Sequence, residues 1–84
     1  MPDSVRLFIK PYCGWCHEAQ EWLKDHGIRH ETLDVTRSEA AWREMTRLSG
    51  QTSAPVIDVD GEILADFGVD ELEAWWEEHG FEEG

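Results

Sequence analysis

Two cysteines, spaced as Cys13-Gly14-Trp15-Cys16, are the residues of this chain whose type and spacing most clearly support chemistry. The same spacing occurs in redox-active dithiols, in half of a zinc site and in haem-attachment segments. A single pair is too few cysteines for a disulfide scaffold. The pair therefore predicts either thiol redox chemistry or a pair of ligands, and the elements around it must decide which.

The cysteines follow a predicted strand and open a predicted helix. The segment from Val5 to Ile9 is rich in β-branched and aromatic residues, which indicates a buried strand. Apolar residues at helical spacing predict a helix from Gly14 to about His26, and Gly27 is expected to end it in a left-handed conformation. Cys13 then lies at the start of the helix, where free N–H groups and the helix dipole favour a thiolate, and Cys16 lies one turn deeper.

The position of the pair favours a redox dithiol over a metal site. Lys10 lies three residues before Cys13, close enough to place a positive charge near its sulfur. A thiolate attacks disulfides, and a second thiol one turn away can resolve the mixed disulfide, so we expect Cys13 to attack and Cys16 to resolve. Zinc is disfavoured because the His residues lack the spacing of common zinc fingers. Haem attachment normally follows export, and no export signal is recognisable.

Further along the chain, a second strand and a second helix are predicted. Residues from Arg29 to Val35 favour a strand. Thr36 and Glu39 match a capping box, with Thr36 as the N-cap. The helix that they open is expected to run through Ser49 and to stop at Gly50.

The C-terminal part predicts a hairpin followed by a last helix. Asp60-Gly61 between the segments 55–59 and 62–65 is a strong signal for a two-residue hairpin turn. Asp70 and Glu73 match a second capping box, with Asp70 as the N-cap of the last helix. The order β-α-β-α-β-β-α predicts a single α/β domain over residues 1–84, with a mixed sheet.

The net charge of the chain limits the classes of partner that it is expected to bind. Its 7 Lys and Arg residues face 19 Asp and Glu residues, for a formal net charge of −12. Such a chain repels phosphate backbones, so nucleic-acid binding is not expected. We interpret the charge as a solvated acidic surface, and the alternative is a field that selects basic protein partners. No long apolar run is present, so we expect no membrane association and a cytoplasmic location.

Three segments resemble the glutaredoxin family, over a span from Val5 to about Glu78. The segment 10–16 is similar to the family's active-site motif, except that Gly14 replaces its usual proline. The segment 48–56 is similar to the motif in which a cis proline, here Pro55, faces the redox pair. The segment 66–70 stands where the family has a Gly-Gly-x-Asp turn, and a bulky Phe67 replaces one glycine of the pair.

The resemblance implies a thioredoxin-like fold, with a four-stranded mixed sheet flanked by three helices, and a glutathione-dependent protein-disulfide oxidoreductase. It implies that a monomer uses glutathione as reducing co-substrate, without a tightly bound cofactor or metal, and acts on disulfide-containing or glutathionylated proteins. The ring of Phe67 is expected to crowd the glutathione groove. The residues implied for glutathione or substrate binding are Lys10, Tyr12, Trp15, Gln51, Ala54, Pro55, Phe67, Gly68, Val69 and Asp70.

Two alternatives remain open within this resemblance. The segment 55–70 is also similar to that of glutaredoxin-like redoxins reduced by thioredoxin reductase, although Gly68 and Val69 replace their Arg-Pro pair. Family members that lack the proline between their cysteines sometimes hold a [2Fe–2S] cluster between two protomers, with glutathione as co-ligand. Gly14 is compatible with such a cluster-binding module, whereas a cis proline near the sulfurs opposes it.

Overall fold

The computed structural model describes residues 2–81, in which strands and helices follow one another in the predicted order. The predicted domain of residues 1–84 also includes Met1 and residues 82–84, which lie outside the described residues. None of the helices within residues 2–81 is long and apolar enough to cross a bilayer. The elements are β1 (Val5–Ile9), α1 (Gly14–Asp25), β2 (Glu31–Asp34), α2 (Glu39–Ser49), β3 (Val56–Val59), β4 (Glu62–Ala65) and α3 (Val69–His79).

The strands form one mixed sheet in the spatial order β2-β1-β3-β4. β1 pairs in parallel with β2 and antiparallel with β3, and β3 pairs antiparallel with β4. The predicted hairpin is confirmed: Asp60 and Gly61 have φ angles of 51° and 92°, as a two-residue turn between twisted strands requires. β2 is shorter than the predicted segment 29–35. Because β1 lies between β2 and β3, it is an interior strand, and the chain leaves the C-terminal end of β1 near the middle of the sheet.

The sheet separates two apolar clusters. On one face, Leu7 of β1 packs in a cluster with residues of α1 and α3, including Leu23 and Trp76. On the other face, Phe8 packs with Met45 of α2. Successive side chains of a strand point to opposite faces, so β1 anchors both helical layers. This packing holds the first turns of α1 and α3 on the same side of the sheet.

Phe67 lies in the core rather than in a surface groove. Its side chain has 0% exposure and belongs to the cluster that contains Leu72 and Trp76 of α3. The expectation that its ring would crowd the glutathione groove is therefore wrong. Burying a phenyl ring is favourable because it removes a large apolar surface from water. This gain in free energy places the ring in the core, although the position of Phe67 in the 66–70 segment had indicated the groove.

α2 begins with a different cap from the predicted one. The hydroxyl of Ser38 accepts a hydrogen bond from the Ala41 N–H at 3.1 Å, so Ser38 is the N-cap. The hydroxyl of Thr36 instead donates to the Asp34 carboxylate at 2.6 Å, and its N–H donates to the same oxygen at 2.9 Å. Thr36 therefore shapes the turn after β2, and the prediction of Thr36 as the N-cap is wrong. The predicted stop at Gly50 is confirmed by its φ of 69°.

α3, in contrast to α2, begins earlier than its capping box predicted. Its N-cap is Gly68, not Asp70, and the Glu71 carboxylate accepts a hydrogen bond from the Gly68 N–H at 3.1 Å. Asp70 thus lies within the first turn of α3, where its carboxylate interacts favourably with the helix dipole. Glu71 takes the role in the box that the sequence pattern had assigned to Glu73.

A partly buried ion pair fixes the end of the sheet that lies away from the cysteines. Asp58 is 7% exposed, and its carboxylate accepts a hydrogen bond of 2.6 Å from Arg6, its cross-strand partner. This hydrogen bond is the main cause that raises the pKa of the Arg6 guanidinium, and Glu44 of α2 also pairs with Arg6. The second Asp58 oxygen accepts the Gly61 N–H at 2.9 Å. The pair therefore joins β1, the hairpin and α2.

Replacing Phe67 with Ala should lower the free energy of unfolding by about 3–5 kcal/mol, because the change leaves a cavity in the core. Urea unfolding followed by circular dichroism measures this loss. Tyr12→Ala is a control of similar size, since Tyr12 is 78% exposed, and should change stability by less than about 0.5 kcal/mol. Equal losses in the two variants would contradict the buried position of Phe67.

Candidate active site

Cys13 is the N-cap of α1, as the sequence predicts. Its sulfur accepts a hydrogen bond from the Cys16 N–H at 3.1 Å and lies 3.8 Å from the Ala54 carbonyl oxygen. The side chain is partly exposed, and both cysteines are free thiols. A hydrogen bond from a helix N–H to the sulfur is an interaction that stabilises negative charge there. Cys13 is therefore the thiol that an incoming disulfide can reach.

Cys16 occupies an opposite environment. It has 0% exposure in the first turn of α1. Burial, as the largest cause, and the hydrogen bond with Cys13 together raise the pKa of the Cys16 thiol to about 12, although Lys10 acts in the opposite direction. Cys16 is thus a protonated and shielded thiol near neutral pH. The pair thus consists of one accessible sulfur, that of Cys13, and one buried sulfur, that of Cys16.

The segment before β3 faces the accessible thiol. The Ala54–Pro55 peptide bond is cis, as the family resemblance implies, and Pro55 is buried. The Ala54 carbonyl oxygen is the atom of this segment that lies 3.8 Å from the Cys13 sulfur. The structure therefore brings Ala54, Pro55 and Cys13 together from opposite ends of the sequence.

Lys10 forms a hydrogen bond with the loop that precedes this segment. Its ammonium group donates a hydrogen bond to the Thr52 carbonyl oxygen at 3.0 Å. The same group lies 5.5 Å from the centroid of the Trp42 ring on α2, within the range of a cation–π interaction. Lys10 thus ties the end of β1 to α2 and to the loop.

The side chain of Gln51 forms hydrogen bonds within the same loop. Its amide nitrogen donates to the Ser49 hydroxyl at 3.0 Å and to the Ser53 carbonyl oxygen at 2.9 Å. Its amide oxygen accepts the Ser53 N–H at 2.6 Å. The predicted role of Gln51 in binding a glutathione carboxylate stays a prediction, and these contacts would have to rearrange for it.

Aromatic side chains surround the accessible thiol. Tyr12 is 78% exposed and Trp15 is 52% exposed, on either side of Cys13 in the sequence. Large exposed aromatic residues commonly provide contact surface for partners. We call Tyr12 and Trp15 the exposed rim, and their predicted role in substrate binding stays a prediction.

A groove of about 300 Å³ lies between the first turns of α1 and α3. The N–H groups of Val69 and Asp70 are first-turn groups without an intrahelical partner, and none of residues 2–81 accepts from them. The ring of Phe67 does not reach this groove. The lining residues are Trp15, Glu18, Gly68, Val69, Asp70 and Glu71.

The sequence interpretation missed two residues of this groove, Glu18 and Glu71. Glu18 lies three residues after Trp15 on α1, and this spacing alone places both side chains on one face of the helix. Glu71 would have been found if Gly68 had been taken as the N-cap, because it is the third residue of the helix. Each missed residue adds a carboxylate to the lining of the groove.

Comparisons with known proteins agree with this architecture. A family model described as Glutaredoxin matches residues 5–64. The chain is 32% identical over 69 residues to an uncharacterized glutaredoxin-like 8.6 kDa protein in the rubredoxin operon of Clostridium pasteurianum, covering 82% of this chain and 92% of that protein. It is 31% identical over 71 residues to glutaredoxin 3 of Escherichia coli K12, covering 84% and 83%. The solved thioredoxin-like protein BC3987 superposes with a TM-score of 0.78 at 27% identity, covering 84% and 97%.

At pH 8, iodoacetamide should label Cys13 of the reduced protein and leave Cys16 unlabelled. Burial denies the reagent access to Cys16, and the raised pKa keeps that thiol protonated until the pH approaches about 12. Mass spectrometry of digested samples measures the labelling. Cys16→Ser should still be labelled at pH 8, and Cys13→Ser should resist. Similar labelling rates for the two single-cysteine variants would contradict the assigned environments.

Proposed function

The chain belongs to the glutaredoxin family of thiol–disulfide oxidoreductases, and we propose that it reduces protein disulfides and glutathione mixed disulfides through a Cys13–Cys16 dithiol. One observation carries this proposal: the accessible Cys13 sulfur accepts the Cys16 N–H at 3.1 Å, while Cys16 itself is fully buried behind it. This asymmetry supplies a nucleophile and a separate resolving thiol within one helical turn.

The first step is attack of the Cys13 thiolate on one sulfur of the substrate disulfide. A bond forms between Cys13 and that sulfur, the substrate S–S bond breaks, and the other substrate sulfur leaves with the electron pair and takes up a proton. The exposed Tyr12 and Trp15 offer apolar contact to the substrate around the attacked bond. The Ala54 backbone lies beside the same sulfur and offers a carbonyl group to an extended substrate segment.

The second step is displacement of the product by Cys16. The Cys16 thiol loses its proton and attacks the Cys13 sulfur, which releases the remaining substrate half as a thiol and forms the Cys13–Cys16 disulfide. Burial is the main cause of the raised pKa of Cys16, and the neighbouring Cys13 is the next. Once Cys13 is bonded to substrate it carries no charge, so its contribution to the raised pKa of Cys16 is removed when Cys16 has to react.

We propose glutathione as the electron donor that restores the dithiol. Two glutathione molecules supply the two electrons, reduce the Cys13–Cys16 disulfide and leave as oxidised glutathione. The N–H groups of Val69 and Asp70 support this proposal, because they can bind a carboxylate at the start of α3. The carboxylates of Glu18, Asp70 and Glu71 line the same groove and oppose such binding, so we expect glutathione to bind weakly.

A flavoprotein of the thioredoxin reductase type is the second candidate for the electron donor. The observation in its favour is that donors expected to bind glutathione already have partners within the chain. The Lys10 ammonium group donates to Thr52, and the Gln51 amide is held by its own loop. The Gly68 N–H donates to Glu71. A protein reductase would contact the exposed rim and would not need these donors.

Replacing Cys13 with Ser should abolish reduction of all disulfides, because no accessible sulfur remains to attack. Cys16→Ser should retain activity on a glutathionylated peptide, since free glutathione can release Cys13 from the mixed disulfide. The same variant should lose turnover of an intramolecular protein disulfide. Coupled NADPH oxidation with glutathione reductase measures the first activity, and insulin reduction measures the second. An active Cys13→Ser variant would refute the assigned roles.

The wild-type protein should turn over with glutathione and glutathione reductase, at a higher KM for glutathione than the Escherichia coli glutaredoxin 3 used as a reference. The partnered donors and the carboxylates of the groove are the reason for the higher KM. A parallel assay replaces both reagents with thioredoxin reductase and NADPH. Rapid turnover in the second assay and none in the first would assign the protein to the second candidate.

A further inference from the structure

The helical layer that holds Cys13 is strongly acidic. α3 contains no Lys or Arg, and Lys24 is the one such residue of α1. On the opposite face of the sheet, the two Glu residues of α2 are balanced by two Arg residues. Cys13 therefore lies at the end of a layer with a negative field. The acidic residues of this layer are Glu18, Glu21 and Asp25 on α1 and Asp70, Glu71, Glu73, Glu77 and Glu78 on α3.

Two carboxylates of this layer are held by hydrogen bonds. Glu73 accepts the indole N–H of Trp22 at 3.3 Å, and Glu71 is the one of the two that lines the groove beside Trp15. The Oε1 atom of Glu71 accepts the Gly68 N–H at 3.1 Å and so lies at the N-terminus of α3. Glu18 and Asp70 line the same groove. A helix N-terminus ordinarily attracts anions, but here a carboxylate of the chain itself already occupies one of the donors.

We propose that Glu71 is a specificity-determining residue, which makes Cys13 discriminate against disulfides that carry negative charge next to the reacting sulfur. The inference rests on the proposed function, because it concerns substrates of the same thiol. Cationic disulfides are the favoured class, and glutathione disulfide, whose net charge is negative, belongs to the disfavoured class.

The small size of the groove makes this discrimination act at short range. In this proposal, the substituent next to the attacked sulfur enters the groove of about 300 Å³, which is lined by Trp15, two residues after Cys13, and by the first turn of α3. A negative substituent there meets the fixed Glu71 carboxylate, and a positive one pairs with it. Because these charges are exposed, the effect on rate is expected to be about two- to fivefold. Salt should weaken it, since the Debye length is about 10 Å at 0.1 M.

The test uses three symmetrical disulfides of nearly equal length. Cystamine is cationic, bis(2-hydroxyethyl) disulfide is neutral and dithiodiglycolate is anionic. Each is mixed with the fully reduced protein, and acid-quenched samples are assayed for loss of two protein thiols as the Cys13–Cys16 disulfide forms. Each rate is divided by the rate of the same disulfide with dithiothreitol, which corrects for differences in leaving group.

The informative quantity is the ratio of the anionic to the neutral rate. Glu71→Gln should raise this ratio by about two- to fivefold and lower the cationic-to-neutral ratio, because the Gln carbonyl keeps the hydrogen bond to Gly68 but lacks the charge. Glu77→Gln is the matched control. It removes the same charge from the same helix, about 9 Å further along its axis. Its ratios should stay close to those of the wild type.

Salt dependence gives a second measurement that needs no variant. Raising the salt concentration should bring the three wild-type rates together. The inference fails if the ratios are the same in Glu71→Gln and the wild type, or if Glu77→Gln shifts them equally. If the neutral disulfide does not oxidise the dithiol at all, the proposed function itself fails, and this result is distinct from unchanged ratios.

Discussion

β1 carries Leu7 toward one helical layer and Phe8 toward the other, and neither side chain retains any exposure to solvent. The burial of this strand on both faces sets the positions of α1 and α3 on one side and of α2 on the other. Its register is held at the far end by the pair of Arg6 and Asp58. Cys13 lies four residues after the end of this strand, so its sulfur is placed by an interior strand that packs against both helical layers.

The two sulfurs have the same chemistry and acquire different roles from their surroundings. Cys13 is partly exposed and lies at the N-cap of α1, where it accepts a backbone N–H. Cys16 is one turn deeper, and burial raises its pKa to about 12. A pair with two equally accessible thiols would offer no order of events. In the proposed mechanism, the difference in depth along one helix assigns attack to Cys13 and resolution to Cys16.

At the N-terminus of α3, the Glu71 carboxylate contributes to helix stability and also lines the groove on which the proposed substrate preference depends. Glu71 satisfies the Gly68 N–H and so contributes to the start of the helix. The same carboxylate lies in the groove beside Trp15 and gives it negative character. The chain has a net charge of −12, and the Glu71 carboxylate places one of its negative charges in the groove where the proposed substrate would lie. One hydrogen bond thus connects the folding of α3 with the proposed substrate preference of Cys13.

The sequence alone determined the order of elements, the Asp60-Gly61 turn and the positions of the two cysteines, because each follows from a local pattern of spacing or backbone preference. These patterns involve residues within a few positions of one another. The family resemblance added the cis bond at Pro55, which no local pattern would have indicated.

Tertiary packing decided the rest. Thr36 and Asp70 both fit a capping box in the sequence, yet the helices begin at Ser38 and Gly68 as caps. Phe67 is adjacent to the groove in sequence, but its ring is buried in the core. Such choices depend on which groups meet across the fold, and their free energies arise from burial and hydrogen bonds that no local pattern contains.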